Sequence, residues 1–274
     1  MRVKFHGVRG SIATAGEATR RYGGNTSCVS VHVADRTLVF DAGTGIRSLG
    51  NELLARPGRV ELFFSHLHWD HIQGFPFFAP AFVPGNLIVL RAVDHGAGEG
   101  GLHAVLDGQM RAPTFPVGLD VMRAELAFED LAPGELVKVG GAAVRHTSVD
   151  HPNGCVAYRV DHGGAAVVYA TDLEHGEEPD PALVELARGA DLLIYDAMYT
   201  PEEYDGVNGF SRRGWGHSTF EAGARLAQAA GVEELCLFHH DPAHDDRFMD
   251  ALAIRARRRL AGTSVAREGM EFVL

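Results

Sequence analysis

The sequence predicts an α/β fold within a single domain that spans residues 1–274. Apolar runs of strand length recur along the chain, and several end in Asp or His, as residues 61–64 do shortly before His66. Stretches with helical signals lie between these runs. With 46% hydrophobic residues the chain can bury a substantial core, and its length fits one large domain.

Recognisable turns and caps bound the predicted elements. Two glycine-rich turns, at residues 7–11 and 22–27, separate the first two strands. Ser218 and Glu221 form a capping box, so a helix is predicted to begin there. Residues 74–84, rich in Phe and Pro, are expected to form a wall of the pocket. Strands are predicted at residues 2–6, 28–34, 37–40, 61–64, 87–90, 137–144, 155–160, 166–170, 191–197 and 234–238, and further helices at 46–53, 99–110 and 243–260.

Charge and cysteine content limit the class of partner and the compartment. The formal net charge of −11 argues against long nucleic acid, for which a basic surface supplies affinity. A small anionic substrate stays compatible, because bound divalent cations reverse the local potential. Cys28, Cys155 and Cys236 form no CxxC pair and are expected to be buried thiols. With no signal-peptide pattern and no stretch of membrane-spanning length, a cytoplasmic protein is expected.

The densest group of potential metal ligands is residues 65–71, Ser-His-Leu-His-Trp-Asp-His, directly after a predicted strand. His66 and His68 project from one face of an extended segment, so both imidazoles can meet one cation. Asp70 and His71 begin the next turn and can reach a second ion. A lone histidine is more often a packing residue, but a buried cluster of imidazoles and a carboxylate without a ligand is costly. The motif therefore predicts a two-metal site.

This HxHxDH motif after a hydrophobic strand resembles the signature of the metallo-β-lactamase superfamily. The resemblance covers nearly the whole chain, from the N-terminal glycine loop to His239. It implies a four-layer αββα sandwich of two mixed β-sheets flanked by helices, with the metals at one edge. It also implies that two halves meet near residues 130–150 and that the protein is a homodimer.

The remaining ligands of the superfamily have counterparts downstream. His151, before a predicted strand, matches the third histidine, with Asp150 and His146 as weaker candidates. Asp172, at a strand end, matches the bridging aspartate. His239 matches the last ligand, with the adjacent His240 as its competitor. The implied arrangement holds one ion on His66, His68 and His151 and the other on Asp70, His71 and His239, with Asp172 between them. This N/O ligand set favours zinc, with manganese or iron as alternatives.

The His-Ser-Thr sequence at residues 217–219 resembles the catalytic histidine box of ribonuclease Z and its phosphodiesterase relatives. The implied mechanism is attack of a metal-bound hydroxide on phosphorus, with His217 assisting the departing oxygen. Asp70 is expected to double as a proton acceptor. Asp41 and Asp196, which end two other strands, are expected to orient ligand histidines rather than bind metal.

Several reactions are compatible with such a site. The first choice is a metal-dependent hydrolase of small phosphodiesters such as cyclic nucleotides, since the chain is acidic and shows no Gly- and basic-rich arm. One alternative is a tRNA 3′-processing endonuclease, which would need a basic docking surface. Another is a lactonase or carboxyl ester hydrolase, which has no need of His217. Outside enzymes, a metal-binding regulatory module is the alternative.

The roles of several other residues stay open. Arg9 either lines the mouth of the site near a bound anion or belongs to an ordinary loop. Glu174 and His175 either contact substrate, support a ligand or are plain surface residues. Five aromatic rings could stack on a base or pack in the core: Trp69, Trp215, Phe75, Phe77 and Tyr199.

Overall fold

Two seven-stranded β-sheets pack face to face, and helices cover their outer faces. The computed structural model describes residues 1–55, 58–94, 98, 100–207 and 209–274, and its helices and strands lie within these ranges. Buried apolar side chains from both sheets, including Phe5, Phe40 and Tyr158, form the layer between them. The predicted four-layer αββα fold is therefore confirmed.

The first sheet is mixed. It contains β1 (Arg2–Gly7), β2 (Cys28–Val33), β3 (Arg36–Phe40), β4 (Arg59–Phe64), β5 (Leu87–Val93), β6 (Glu125–Leu131) and β14 (Glu271–Val273). The spatial order is β14-β1-β2-β3-β4-β5-β6. Pairings from β14 to β3 are antiparallel, whereas those from β3 to β6 are parallel.

The second sheet repeats this pattern. It contains β7 (Val137–Val139), β8 (Ala142–Val149), β9 (Cys155–His162), β10 (Ala165–Ala170), β11 (Leu192–Asp196), β12 (Glu234–Phe238) and β13 (Thr263–Val265). Pairings from β7 to β10 are antiparallel and those from β10 to β13 are parallel. The chain crosses between the sheets after Leu131, inside the range where two halves are predicted to meet.

The helices lie outside the sheets. They are α1 (Ile46–Leu53), α2 (Trp69–Ile72), α3 (Gly101–Gln109), α4 (Pro181–Ala187), α5 (Pro201–Asp205), α6 (Phe220–Ala230) and α7 (Asp246–Arg259). Helices α1 and α3 pack on the first sheet, and α4, α6 and α7 pack on the second. The predicted helix at 99–110 corresponds to α3, and Glu99 lies outside the described residues. None of the helices in the described ranges has the length and apolar composition needed to cross a bilayer.

Three sequence predictions are corrected. The strand predicted at 137–144 is two strands, because Gly140 and Gly141 adopt φ values of 55° and 82° and reverse the chain between β7 and β8. The N-cap of α6 is Thr219 rather than Ser218, and the Thr219 side chain accepts from the Ala222 amide at 3.3 Å. Ser218 instead hydrogen-bonds to other side chains.

The third correction concerns residues 74–84, which form the 3₁₀ helices Phe75–Phe77 and Ala79–Phe82. Phe75, Phe78 and Ala81 are buried in the apolar layer outside the first sheet, so this segment is mainly packing. Elements that the sequence analysis missed are β6, β13, β14, α4, α5 and the 3₁₀ helices Glu17–Thr19 and Leu119–Val121.

A buried ionic network lies on β4, the strand that precedes the HxHxDH motif. The Glu61 side chain is 0% exposed and accepts hydrogen bonds from Arg59 and Arg91. Arg91 also donates to Glu129 at 2.6 Å. Arg91 is buried, so its guanidinium loses its hydration. Glu61, which is also buried, compensates more of that loss than the half-exposed Glu129 does.

We expect Glu61→Ala to lower the free energy of unfolding by about 3 kcal/mol, because it leaves a buried guanidinium with one carboxylate fewer. Glu129→Ala removes the 49% exposed partner of the same arginine and should cost about 1 kcal/mol or less. Urea denaturation of both variants measures the difference. Equal losses would contradict the assignment of Glu61 as the main partner.

Candidate metal centre

The predicted site residues converge at one edge of the sandwich, where strands of both sheets end. Residues 66–71 follow β4, Asp172 follows β10, His239 follows β12, and His151 lies in the turn between β8 and β9. Asp172 and His239 have φ values of 51° and 59°, in the left-handed region. Such a conformation costs about 1–3 kcal/mol for a residue other than glycine and is kept where the surroundings enforce it. The left-handed backbone at these two residues therefore directs both side chains into the cluster.

His66, His68 and His151 form the first ligand group, with one ring nitrogen from each lying within 4.8 Å of the others. His151 Nε2 is 3.1 Å from His68 Nδ1. Zinc–nitrogen bonds of about 2.0–2.1 Å in a tetrahedral site imply nitrogen separations of about 3.3 Å. The spacing of these two nitrogens therefore suits a shared cation.

Asp70, His71, Asp172 and His239 form the second ligand group. Asp70 Oδ2 lies 3.2 Å from His71 Nε2 and 3.4 Å from His239 Nε2. Asp172 Oδ2 lies 3.2 Å from the same two nitrogens. Two carboxylate oxygens and two imidazole nitrogens thus surround one point.

Asp172 faces both groups at once. Its Oδ2 faces the second group, while its Oδ1 lies 3.8 Å from His66 Nε2 and 3.8 Å from His151 Nε2. Burial alone would raise the pKa of this carboxyl, but the nearby imidazoles, His239 first, hold its pKa well below its usual range. An ionised carboxylate with one oxygen toward each group has the geometry of a bridge between two cations.

Each histidine of the HxHxDH motif is oriented through its other ring nitrogen. His66 Nδ1 bonds to Ser65 Oγ at 3.1 Å, and His68 Nε2 donates to Asn153 Oδ1 at 3.2 Å. His71 Nδ1 donates to Asp41 Oδ2 at 2.7 Å. Such partners fix the tautomer and the ring orientation of ligand histidines.

Asp41 is the centre of a buried hydrogen-bond network. Besides His71, its carboxylate accepts from the Ser65 amide at 2.7 Å, from Ser65 Oγ at 2.8 Å and from Tyr169 OH at 2.8 Å. All four donors converge on a carboxylate that is fully buried. Asp41 therefore orients His71, a predicted ligand, and is not itself among the groups that could hold an ion in the described residues.

The donor set fits divalent cations. His66 Nε2 and His71 Nε2 are buried and form no hydrogen bond with any described residue, although their Nδ1 atoms are occupied. Burial lowers the pKa of His66 well below its ordinary value, so the ring is neutral, the form in which imidazole binds metal. A bound metal would satisfy these buried nitrogens, whose lone pairs have no hydrogen-bond partner. That these seven residues bind ions stays a prediction.

Two glycines allow the ligand rings to sit where they do. A Cβ on Gly10 would lie 2.4 Å from the His239 ring, and one on Gly216 would lie 2.4 Å from the His151 ring. Gly216 also has a φ of 80°, and its carbonyl accepts from His151 Nδ1 at 2.8 Å. Only glycine fits at these two positions.

His217 lies between the two groups. Its Nδ1 donates to Asp196 Oδ2 at 2.9 Å, and the Asp196 side chain is fully buried. Burial by itself lowers the His217 pKa, but Asp196, Asp172 and Asp70 outweigh it and raise the pKa to about 9. The ring can therefore hold a proton while facing the ligand cluster. Asp196 orients a histidine, as predicted.

Residues whose roles were open are now located. His240 turns away from the cluster and donates from Nε2 to the Ala266 carbonyl at 2.9 Å. Arg9 does not line the mouth, which corrects the anion-contact alternative: it is fully buried and binds the carbonyls of Gly23, Asp241 and His244.

Glu174 and His175 hold the loop that carries His217. Glu174 accepts from the Gly214 and Gly216 amides at 2.7 and 2.8 Å and from Tyr204 OH at 2.7 Å. His175 Nδ1 bonds to Ser218 Oγ at 3.0 Å. These contacts identify both residues as supports of the 214–218 segment.

The aromatic candidates divide by exposure. Phe75 and Tyr199 are buried, whereas Trp69, Phe77 and Trp215 are exposed. Supporting residues that the sequence analysis missed are Ser65, Asn153, Tyr169, Gly10 and Gly216. Of these, Asn153 carried a signal, since Asn-Gly marks a turn with positive φ and its φ is 68°.

Comparison with known proteins agrees with this geometry. A family model described as "Beta-lactamase superfamily domain" matches residues 36–240. Ribonuclease Z of Brevibacillus brevis is 26% identical over 293 aligned positions, which cover 85% of this chain and 86% of that protein. An uncharacterized protein of Mycobacterium leprae is 32% identical over 215 positions, which cover 75% and 67% of the two chains.

The fold agrees as well. The crystal structure of Zn²⁺-bound PqqB from Methylobacterium extorquens superposes with a TM-score of 0.73 at 18% identity, covering 100% of both chains. The family match begins at β3 and ends at His240, so it includes all seven predicted ligands. Proteins of this fold typically bind divalent metals, PqqB with its Zn²⁺ among them, and this chain has His and Asp clusters that could hold an ion. The chain is therefore a member of the metallo-β-lactamase superfamily, a hydrolase of its ribonuclease Z-like branch.

Proposed function

We propose that the protein is a phosphodiesterase that hydrolyses small anionic phosphodiesters with the help of two divalent cations. The observation that carries this proposal is the placement of His217. Its Nδ1 is held by the buried Asp196, and its ring centroid lies 5.0 Å from that of His239 and 5.4 Å from that of His151. A histidine that can hold a proton thus adjoins both ligand groups.

His217 would act as the general acid. With Nδ1 engaged by Asp196, the proton available for transfer is on Nε2, and the carboxylate stabilises the imidazolium. The departing oxygen of a phosphodiester gains negative charge as its bond to phosphorus breaks, and a proton from Nε2 neutralises that charge. Asp196 acts through His217 as a positioning residue, itself fixed by the Met198 amide at 3.0 Å.

Two groups of residues would hold the cations. These are His66, His68 and His151 for one and Asp70, His71 and His239 for the other, with Asp172 in contact with both. Bound divalent cations supply Lewis acidity, lowering the pKa of water and polarising phosphoryl oxygens. Zinc is the first candidate for this N/O set, with manganese and iron as alternatives.

Asp70 would also accept a proton. Its Oδ2 receives the Ser11 amide at 2.8 Å and faces the imidazoles, whereas its Oδ1 meets no donor among the described residues. Oδ1 is therefore available for the proton that the attacking water loses.

We also propose that residues 1–274 act as one domain, because β14 pairs with β1 and the Met1 ammonium donates to the Leu274 carbonyl at 2.7 Å. A homodimeric state and a cytoplasmic location stay predictions.

A tRNA 3′-processing endonuclease is the second candidate. It is favoured by the 26% identity to Ribonuclease Z of Brevibacillus brevis over 85% of this chain. The net charge of −11 speaks against it, since a polyanion needs a basic surface for affinity. A lactonase would use the same cations but would have no need of a proton from His217.

We expect the zinc-loaded protein to hydrolyse bis(p-nitrophenyl) phosphate and a cyclic nucleotide, but not a homoserine lactone. His217→Ala should lower turnover of the cyclic nucleotide by about 10²-fold or more, because its departing alkoxide needs a proton from the general acid, while metal content stays unchanged. His103→Ala, which alters an exposed histidine of α3, is the matched control and should keep full turnover.

Turnover of the cyclic nucleotide that survives His217→Ala would remove the role assigned to this histidine. Lactone turnover that is indifferent to the substitution would replace the proposal with an ester hydrolase. A precursor tRNA assayed in parallel tests the second candidate, which efficient cleavage at its 3′ end would favour.

Asp41→Asn should weaken metal binding by about 10- to 100-fold, because an amide cannot accept all the hydrogen bonds that orient Ser65 and His71. Competition with a chromogenic zinc chelator measures the affinity. Asp35→Asn, which alters a carboxylate 76% exposed in the turn before β3, is the control and should bind zinc normally. Equal affinity in the two variants would show that Asp41 does not support the ligands.

A further inference from the structure

Arg212 lies half-buried in the loop that leads to His217, and aromatic rings rather than a carboxylate hold its guanidinium. Its Cζ lies 4.2 Å from the ring centroid of Phe210, 5.1 Å from that of Trp215 and 5.6 Å from that of Tyr199. No Asp or Glu side chain in the described ranges forms an ion pair with it. Within the described residues its positive charge is therefore stabilised mainly by π faces.

Neighbouring arginines show the ordinary arrangement. Arg213, the next residue, pairs with Asp205 at 2.6 Å, and Arg255 pairs with Glu202 at 2.7 Å. Acidic side chains are abundant in this chain of net charge −11. Arg212 therefore lacks a carboxylate partner because of its local surroundings, and not because acidic residues are scarce in the chain.

The aromatic contacts leave the donors of Arg212 free. A guanidinium carries five N–H groups in its plane, and cation–π contacts engage its faces rather than its edges. Its one side-chain hydrogen bond within the described residues is a long one, from Nη1 to the Phe210 carbonyl at 3.4 Å. The remaining edge can therefore bind a phosphate through two parallel N–H bonds.

Tyr199 connects Arg212 to the proposed general acid. Its ring packs edge-on against His217, with centroids 5.9 Å apart and planes at 80°, while Arg212 contacts the same ring. The rim around the arginine is open, since Trp215 is 50% and Phe210 64% exposed. Arg212 and His217 therefore contact the same aromatic ring, which links the arginine to the proposed general acid.

We propose that Arg212 binds a second phosphoryl group of the substrate, one beyond the scissile phosphodiester. The preferred substrates are then short nucleotides with a terminal phosphate, whose base can stack on the exposed rings of Trp215 or Phe210. This inference rests on the proposed phosphodiesterase function and names its substrate class. Arg212 would determine specificity, while His217 and the metals would serve any phosphodiester.

Three thymidine dinucleotides test this inference with the zinc-loaded protein: TpT, pTpT and TpTp. All contain the same internal phosphodiester, and the last two add a terminal phosphate at the 5′ or the 3′ end. We expect kcat/KM for one of the phosphorylated forms to exceed that for TpT by about 10- to 100-fold, the usual worth of a charge-assisted arginine–phosphate contact.

Arg212→Met keeps a long side chain among the rings but removes the charge. We expect it to reduce the preference for the terminal phosphate at least tenfold, mainly through KM, and Arg212→Lys to restore part of it. Arg213→Met, which removes the adjacent paired arginine, is the matched control and should leave the preference unchanged. Thermal melting of each variant checks that it is folded.

The outcomes separate this inference from the function on which it rests. Turnover of bis(p-nitrophenyl) phosphate and TpT without any preference for a terminal phosphate would overturn the role of Arg212 and leave the phosphodiesterase proposal standing. A preference that persists in Arg212→Met, or that falls equally in Arg213→Met, would also overturn it. Failure to hydrolyse any phosphodiester would overturn both.

Discussion

The buried carboxylate of Asp41 is the constraint on which the site depends. A charge without water is tolerated only when hydrogen bonds replace its hydration, and here four donors do so. Ser65 directly follows β4 of the first sheet and His71 lies in the next helix, α2, whereas Tyr169 comes from β10 in the second sheet. The orientation of a ligand histidine is therefore tied to the packing of one sheet on the other.

The repeated sheet pattern explains why the ligands meet at one edge. Each sheet contains parallel strands whose carboxyl ends point the same way, and those ends carry Asp41, Asp172, Asp196 and His239. Three of these residues, Asp41, Asp172 and His239, adopt a left-handed backbone with φ between 51° and 62°. This strained backbone conformation is kept because the chain must turn sharply after each strand, while the side chain of the turning residue must remain in the cluster.

Local spacing made the first half of the site predictable. His66, His68, Asp70 and His71 lie within six residues, so the sequence places their donors close together whatever the rest of the chain does. His151 and Asp172, by contrast, are single residues at strand ends, and only the resemblance to a known superfamily singled them out.

Where prediction failed, contacts distant in sequence made the difference. Arg9 was considered for an anion contact, yet it binds carbonyls as distant as those of Asp241 and His244. Ser218 has the chemistry of an N-cap, but its hydroxyl bonds to Tyr195 and His175, and Thr219 takes the cap. In both cases the side chain could bond to several partners, and the partner it bonds to lies far away in the sequence. A local sequence pattern does not contain that partner. β7 and β8 were merged for a different reason, since the two glycines between them lie in a run that is apolar apart from Lys138.

The loop that ends at His217 supports both a predicted metal ligand, His151, and the proposed general acid, His217. Glu174 accepts the amides of Gly214 and Gly216, and the Gly216 carbonyl in turn orients His151. One carboxylate thus restrains the segment that positions a predicted ligand and the predicted general acid. Because this anchoring is internal, the outer side of the loop is free to carry Arg212 and exposed aromatic rings without loosening the centre. The chemistry and the choice of substrate can then vary separately on the same fold.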